Sequence, residues 1–301
     1  MNRRIEQFLA VYEEKNIHKA AEVLGISQPA LTVSLKNLEE ALGAKLFTRS
    51  VKGMSPTPAA GVLYRFGMTL HQCGRFVDEE IQGLSGGITG RLRVGAGVAW
   101  ATTVLPDVMN RMHEKFPALS IDLITGVGDQ LATRLIDGEL DVVVAAGSVQ
   151  SLASPEFHCE PMINLPMKIV ADPKSKLAQQ SVVSPEQLAS VKWVSFYEDE
   201  SMVQFSNHFL ALHGLPPAKF VMRTNSPTSL TSFLKKTEFV AILIAPLAGS
   251  TTMASGLIQL KSSVALWELP VAIYYRKIVE GSETIASFRK LTKSAMEQFR
   301  E

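Results

Sequence analysis

The side chains with the most chemical content near the N-terminus are Ser27, Gln28, Thr32 and Lys36. Ser27 stands just ahead of Leu31, Leu35, Leu38 and Leu42, apolar residues separated by four, three and four positions. That spacing predicts a helix with the leucines on one buried face, Ser27 as its N-cap and Pro29 in its first turn. The opposite face then shows Pro29, Thr32, Val33 and Lys36, with Ser27 and Gln28 at the N-terminal end. Hydroxyl, amide and ammonium groups on an exposed helix N-terminus suit entry into a DNA major groove. Arg49 and Lys52 follow in a segment holding Gly53, Pro56 and Pro58, where they can meet phosphates. The alternative is an ordinary three-helix bundle with a solvated polar face.

Other constellations carry less. Gly95-x-Gly97 after a predicted strand resembles the start of a dinucleotide fingerprint, but the sixth position is Trp100, and no acidic residue follows at the required distance. Gly83-Leu84-Ser85-Gly86-Gly87 fits the GxSxG string of hydrolases, yet it falls at a helix end, so Ser85 is read as inert. His18, His71, His113, His158, His208 and His213 form no metal motif, and no metal or cofactor is expected. Cys73 and Cys159 cannot build a disulfide framework, and no basic residue closely flanks Cys159, so a packed or inert thiol is expected. No catalytic set emerges, and the chain does not read as an enzyme.

The elements that must position the candidate residues can be placed from periodicity. Ile5, Phe8, Leu9 and Tyr12 predict a first helix, and Ala20, Ala21 and Leu24 a second short apolar face. Gly25 breaks the pattern ahead of the Ser27 helix. Small alanines allow two helices to approach closely, and Leu24, Ile26 and Leu31 fill their crossing, as in a helix-turn-helix. Residues 45–58 suit a two-stranded wing or an extended loop. From Ala59 to Leu84 runs a long helix with apolar residues Ala59, Leu63, Phe66, Leu70, Cys73, Val77, Ile81 and Leu84. So narrow and regular a stripe calls for a partner helix: either the stripe packs on its own domain, or it forms a dimer through Leu63, Phe66, Leu70 and Val77. Gly83, Gly86, Gly87 and Gly90 are expected to end it in a hinge.

Beyond Gly90 strands alternate with helices. Strands are predicted at Leu92–Gly95, Ile121–Thr125, Val142–Ala146, Lys168–Val170, Trp193–Ser195, Phe220–Thr224, Val240–Ile244 and Val271–Tyr275, with helices at Asn110–Lys115 and Gln130–Asp137. Alternation of this kind implies parallel sheets, here in two α/β lobes with a cleft between them.

With 301 residues, 46% of them hydrophobic, the chain can bury real cores in two or three folding units. Its 30 Lys+Arg against 29 Asp+Glu leave a net charge of +1, which excludes a protein that coats nucleic acid by bulk charge. Residues 1–57 hold eight basic and six acidic side chains, a net of +2, so even this segment must rely on a few placed contacts. The N-terminus reaches Glu6 before any apolar stretch, so no signal peptide is read, and no apolar run approaches the ~20 residues of a membrane span. A soluble, reducing, cytoplasmic setting is expected.

Phe8, Val11, Ala20-Ala21, Leu24, Ser27-Gln28-Pro29-Ala30-Leu31-Thr32, Leu38-Glu39, Leu42-Gly43, Leu46-Phe47, Arg49 and Thr57-Pro58-Ala59 follow the order and spacing of the LysR-type transcriptional regulators. Sparser echoes continue through Leu105-Pro106, Phe116-Pro117, Leu135-Ile136-Asp137-Gly138-Glu139-Leu140-Asp141 and Ala245-Pro246, so the resemblance spans essentially the whole chain. It implies an N-terminal all-α winged helix-turn-helix, a long linker helix, and an α/β two-lobed effector-binding domain similar to type 2 periplasmic binding proteins. The corresponding boundaries are 1–58 for the DNA-binding domain, 59–88 for the linker and 89–301 for the effector domain. Within the last, lobe I spans about 89–162 and 267–301, and lobe II about 163–266.

The resemblance implies a ligand-responsive regulator that binds double-stranded promoter DNA as a homodimer or homotetramer, with RNA polymerase as a further partner and no membrane. Carried over by position, Ser27, Gln28, Pro29, Thr32, Val33 and Lys36 would face DNA, joined by Arg49 and Lys52 from the wing. Val33 and Ser34 depart from the long polar residues common there, and Val33 offers only an apolar contact, such as one to a thymine methyl. Pro56 and Ala60 stand where leucine and glycine are common, which bears on how the linker helix is entered. An effector would meet Gly97, Ala99, Trp100, Gly128, Ser195, Phe196, Tyr197 and Thr224. Hydroxyls that relatives place at Gly97, Ala99 and Gly128 are missing, which argues against a simple carboxylate held by paired hydroxyls. Trp100 is either an aromatic wall of this pocket or a core residue. The rival to the whole reading is a solute-binding protein or enzyme with an added helical domain, which would leave the Ser27–Arg49 run unexplained.

Overall fold

Short polar side chains set the boundaries of the N-terminal helices. Asn16 accepts from the backbone N–H of His18 and Lys19, and Ser27 accepts from that of Ala30, each satisfying donors that the first helical turn leaves open. The helices are α1 (Arg3–Glu14), α2 (Ile17–Val23) and α3 (Gln28–Leu42). Gly25 turns between α2 and α3 with φ +64°, and Gly43 closes α3 in the left-handed region, a conformation that glycine adopts without steric cost. The computed structural model describes residues 3–50, 53–86, 90–147, 149–197, 200–249 and 254–299.

Phe8, Val11, Ala20, Ala21, Leu31, Leu35 and Leu38 form one buried cluster, closed by Leu46 and Phe47. Each large side chain removed from water here is worth about 1.5–3 kcal/mol. Leu42, predicted to share the buried face, is exposed; it lies in the last turn of α3, beyond the reach of the cluster. Strands β1 (Phe47–Ser50) and β2 (Gly53–Pro56) pair antiparallel from Phe47↔Pro56 to Ser50↔Gly53. This hairpin is docked by Met54 N–H on the Lys15 carbonyl at 3.0 Å and by Thr57 N–H on the Leu46 carbonyl at 2.9 Å. Thr57 also donates through its hydroxyl to the Lys45 carbonyl and accepts from Ala60 N–H, tying the hairpin to the start of α4 (Pro58–Gly86). The helix thus runs through Gly83 to Gly86, further than the glycine content predicts.

Residues 1–90 and 133–140 form one compact unit, and residues 91–132 and 141–301 a second. In the first, Ala60, Tyr64, Gly67, Met68, Gln72 and Phe76 are buried positions of α4 among the described residues. Tyr64 stacks on Tyr12 of α1 with ring centroids 4.1 Å apart. Gln72 donates to the carbonyls of Gly138 and Leu140, and a Cβ on Gly138, whose φ is +76°, would lie 2.9 Å from the Met68 side chain.

Beyond the linker helix the chain follows the alternation expected of it: β3 (Gly90–Ala96), α5 (Val98–Thr103), α6 (Leu105–Lys115), β4 (Leu119–Thr125), α7 (Gly128–Ile136, of which residues 133–136 belong to the first unit), β5 (Val142–Ala146) and β6 (Phe157–Ala171). Then come α8 (Pro185–Ser190), β7 (Lys192–Phe196), α9 (Glu200–Leu212), β8 (Lys219–Thr224), α10 (Pro227–Leu234), β9 (Val240–Ile244), α11 (Ala245–Ala248), β10 (Ile258–Leu260), β11 (Glu268–Arg276) and α12 (Glu283–Met296). Strand order is β4-β3-β5-β11-β6-β9-β7-β8, with β10 beside β6.

The expectation of parallel sheets is corrected here. β3 and β5 are parallel, as are β7 with β8 and β9, but β11 runs antiparallel to β5 and β6, and β6 antiparallel to β9. The cause is β6, fifteen residues long, of which only the end near Lys168–Val170 reads as a strand in the sequence. Its first part, to Pro166, pairs with β11, and its last part, Met167–Ala171, pairs with β9. One strand therefore belongs to both lobes. Among the described residues no helix is long and apolar enough to cross a membrane.

Candidate nucleic-acid interface and effector region

The outward face of α3 carries the predicted reading groups. Ser27, Pro29, Val33 and Lys36 are exposed, and Gln28 and Thr32 are half-buried. Val33 is 58% exposed, so an apolar surface stands in the middle of this polar face. Lys36 is also exposed and pairs loosely with Glu40 at 3.6 Å, a contact that water and salt weaken and a phosphate can replace. Ala30 and Asn37, not singled out from the sequence, are exposed on the same helix. Gln28 Nε2 donates to Thr32 Oγ1 at 2.8 Å, and Thr32 Oγ1 donates to the Gln28 carbonyl at 2.9 Å. Ser34 turns inward instead, donating its hydroxyl to the buried Gln7 side chain of α1. That bond links α3 to α1, and the sequence could not reveal it because the two residues are far apart in the chain.

The hairpin is set by Glu39. Its Oε1 accepts from the N–H of Leu46 at 2.8 Å and of Phe47 at 3.3 Å, and its Oε2 accepts from Lys45 at 2.7 Å. Burial acts to raise the Glu39 pKa, but the Lys45 ammonium and the two backbone N–H groups outweigh it and hold the carboxyl below its ordinary value. Arg49 lies in β1 opposite Met54, with its side chain outside the described residues, as is all of Lys52.

Along α4 the predicted stripe divides. Phe66, Leu70, Val77 and Ile81 are all more than half exposed, with Val62 nearly so. Ala59 and Leu63 instead pack partly against the N-terminal core. The helix thus has two apolar faces, one buried in its own unit and one open.

The candidate effector residues fall into two groups at strand ends. Gly97 caps α5, its N–H bonded to the Val144 carbonyl, while Gly126 N–H reaches the Ala96 carbonyl. These bonds gather Gly97, Ala99 and Gly128 at the ends of β3 and β4, all half-buried. In the other group, Tyr197 N–H bonds to the Thr224 carbonyl at 2.9 Å, joining the ends of β7 and β8. There Ser195 is buried, Phe196 and Thr224 are half-buried, and Tyr197 is 64% exposed. Trp100 corrects the expectation of an aromatic wall. Its indole is 1% exposed and is one of the largest fully buried side chains, so it serves the core. Its position in the first turns of a helix that packs on the sheet explains why.

Cys159 is exposed on β6, and Cys73 is half-buried on α4. Among the described residues no group of histidine, cysteine and carboxylate side chains could hold a metal ion. Ser85 lies in the last turn of α4.

Residues 2–61 match the bacterial regulatory helix-turn-helix family named for lysR, and residues 85–297 match the LysR substrate binding domain. The HTH-type transcriptional regulator CysL of Bacillus subtilis is 28% identical over 222 residues, covering 73% of each chain. The HTH-type transcriptional activator AaeR of Escherichia coli is 28% identical over 237 residues, covering 77% of this chain and 73% of that one. A variant of full-length OxyR from Pseudomonas aeruginosa superimposes with a TM-score of 0.73 at 19% identity, over 96% of both chains. Full-length CbnR complexed with its target DNA gives 0.64 at 17% identity, over 97% of this chain and 99% of that one.

Proposed function

The chain belongs to the LysR family of bacterial helix-turn-helix regulators, and on that premise we propose that it is a ligand-responsive regulator acting on promoter DNA through α3 and the β1–β2 wing. The exposed face of α3 is the observation that carries this reading: a helix with Ser27 and Gln28 at its N-terminal end, and Val33 and Lys36 open to solvent. Ser27, Gln28, Pro29, Thr32, Val33 and Lys36 approach base edges and the adjoining backbone, while Arg49 and Lys52 supply phosphate contacts. The working units are 1–58 for DNA binding, 59–88 for the linker and 89–301 for the effector domain.

Assembly is proposed through the open face of α4, where Phe66, Leu70 and Val77 supply the apolar area that a second copy would cover, with Leu63 at its edge. A dimer, or a tetramer formed from two dimers, doubles the DNA contacts, which suits an N-terminal segment with a net charge of only +2. The effector is proposed to bind at the strand ends that carry Gly97, Ala99, Gly128, Phe196, Tyr197 and Thr224. The working site is the cytoplasm, and RNA polymerase is the proposed downstream partner.

The test is binding of the full-length protein to a fluorescent duplex from the intergenic region beside its gene. Salt-sensitive, sequence-selective binding that weakens on Gln28→Ala and on Arg49→Ala is expected. Equal affinity for that duplex and for unrelated DNA would overturn the proposal.

A further inference from the structure

Six lysines gather at one end of the lobe II sheet. The chain leaves β6 at Ala171 just before Lys174 and Lys176, and it enters β9 just after Lys235 and Lys236. Ala171 pairs with Val240, and Val240 with Trp193, so the end of β6 and the starts of β9 and β7 lie side by side. Lys192 opens β7 and Lys219 opens β8, and the two stand opposite each other in the register. All six are exposed, and none forms a salt bridge among the described residues. Phe196, Tyr197 and Thr224, proposed above for the effector, stand at the other ends of β7 and β8, so this is a separate surface.

The cluster is built, not scattered. The buried Asp172 carboxylate accepts from the backbone N–H of Lys174 and of Lys236, both at 2.7 Å, which fixes the turn after β6 to the turn before β9. The Lys236 and Lys174 N–H groups hold its carboxyl below the ordinary value, aided by the Lys174 and Lys235 ammonium groups. Lys236 has φ +61°, a left-handed backbone that is costly for a residue with a Cβ, and the Asp172 bond holds it there. Glu238 accepts from the Lys176 N–H at 2.8 Å, and Lys192 lies over the Phe239 ring at 5.9 Å.

Like charges gathered in this way repel one another, and a polyanion relieves that repulsion. Neighbouring strands are about 4.8 Å apart, so the row across β6, β9, β7 and β8 is about 14 Å long. Each strand of duplex DNA carries a phosphate per ~3.4 Å of axis, so about four phosphates fit along it. A protein partner fits less well. Protein interfaces are anchored by aromatic and arginine side chains and depleted in lysine, whereas this row holds no arginine, and the neighbouring Phe220 and Phe239 are half-buried. Residues 163–266 hold nine basic and six acidic side chains, a net of +3, against +2 for residues 1–57.

We propose that this end of lobe II is a second DNA surface, where Lys174, Lys176, Lys192, Lys219, Lys235 and Lys236 meet phosphates beyond the base pairs that α3 selects. It reads no sequence. The proposal rests on the regulator reading above, because DNA already held through α3 is what brings phosphates to these lysines at high effective concentration.

The experiment measures the affinity of the full-length protein over a range of salt concentrations for two duplexes. One is the shortest piece of the intergenic region that keeps selective binding, and the other is that piece extended on both sides by unrelated sequence. Wild-type binding to the extended duplex should be tighter and fall more steeply with salt. A protein carrying Lys174→Gln, Lys176→Gln, Lys235→Gln and Lys236→Gln should lose about 2–4 from the slope of log K against log[salt] on the extended duplex, about 0.9 for each phosphate contact removed. On the shortest duplex it should keep the wild-type affinity and slope. Arginine at the same four positions retains the charge and should retain the slope. Lys192→Gln with Lys219→Gln should lower it by about 1–2. Equal wild-type slopes on the two duplexes would overturn the proposal without recourse to any variant. An unchanged slope in both glutamine proteins would also overturn it, leaving an acidic protein surface as the occupant. If the wild-type protein binds no piece of the region selectively, the regulator reading itself falls, and this proposal with it.

Discussion

Replacing Glu39 by alanine should loosen the wing from the recognition helix at a cost that the geometry allows to be worked out. The carboxylate holds the N–H of Leu46 at 2.8 Å and that of Phe47 at 3.3 Å, and the Leu46 residue is almost wholly buried. Stranding the Leu46 N–H costs about 1–3 kcal/mol, and loss of the longer Phe47 bond adds about 0.5–1 kcal/mol. The Lys45 partner is mostly exposed, so its ion pair contributes under about 1 kcal/mol. The sum is about 1.5–5 kcal/mol. In a folding unit of this size, near the upper end of small domains, each kcal/mol moves the midpoint by about 4 °C, so the unfolding transition of the first unit should fall by roughly 6–20 °C.

Glu39→Gln keeps one oxygen, which can accept from both backbone N–H groups as Oε1 does, and loses the charge and the Lys45 contact, so it should cost about 1 kcal/mol. The pH dependence has a definite sign. The folded-state pKa of Glu39 is lowered, so its contribution is fully present above the ordinary carboxylate pKa and fades as pH falls through the folded value. The gap between wild type and Glu39→Gln should therefore narrow on acidification below about pH 4. Scanning calorimetry of the full-length protein at pH 7 and at acidic pH reads both effects. A Glu39→Ala protein that unfolds with the wild-type midpoint at pH 7 would refute the reasoning, as would a gap to Glu39→Gln that widens with acid.

Three further perturbations follow from the same structure. Leu70→Asp puts a charge in the middle of the open α4 face and should shift sedimentation toward monomer, with a thermal transition that no longer rises with protein concentration. Trp100→Ala empties a fully buried indole site and should destabilise the second unit by about 3–5 kcal/mol in urea unfolding, whereas a surface role would leave stability unchanged. Ser34→Ala leaves the buried Gln7 side chain without its partner and should cost about 1 kcal/mol in chemical unfolding.

Elements whose identity rests on neighbours in sequence were readable from the residues. The Ser27 cap, the turn at Gly25, the leucine face as far as Leu38 and the body of α4, though not its C-terminal end, all depend on side chains within a turn or two of one another. Lobe architecture was less so, because a buried strand carries no alternation that separates it from other apolar segments. β6 is the case in point: His158, Glu160 and Asn164 interrupt its apolar character, so most of its fifteen residues do not look like a strand. α12 was likewise not foreseen, and of the two readings open for Trp100, pocket wall or core residue, only its burial in the structure selects the second.

The sequence by itself therefore determined the N-terminal helices with their turn, a non-helical segment after them, the long apolar-striped helix and the α/β character beyond Gly90. Local periodicity and caps act within a few residues, and those features need nothing more. Only the tertiary structure decided which groups are free to act. It directed one Gln28 side-chain N–H to the Thr32 hydroxyl oxygen and the Thr32 proton to the Gln28 backbone carbonyl, turned Ser34 toward Gln7, withdrew Trp100 into the core and split the α4 stripe into a buried and an open face. Those outcomes depend on where a side chain's hydrogen bonds and apolar contacts are completed, and for Ser34, Trp100 and α4 the completing atoms come from parts of the chain that only folding brings together.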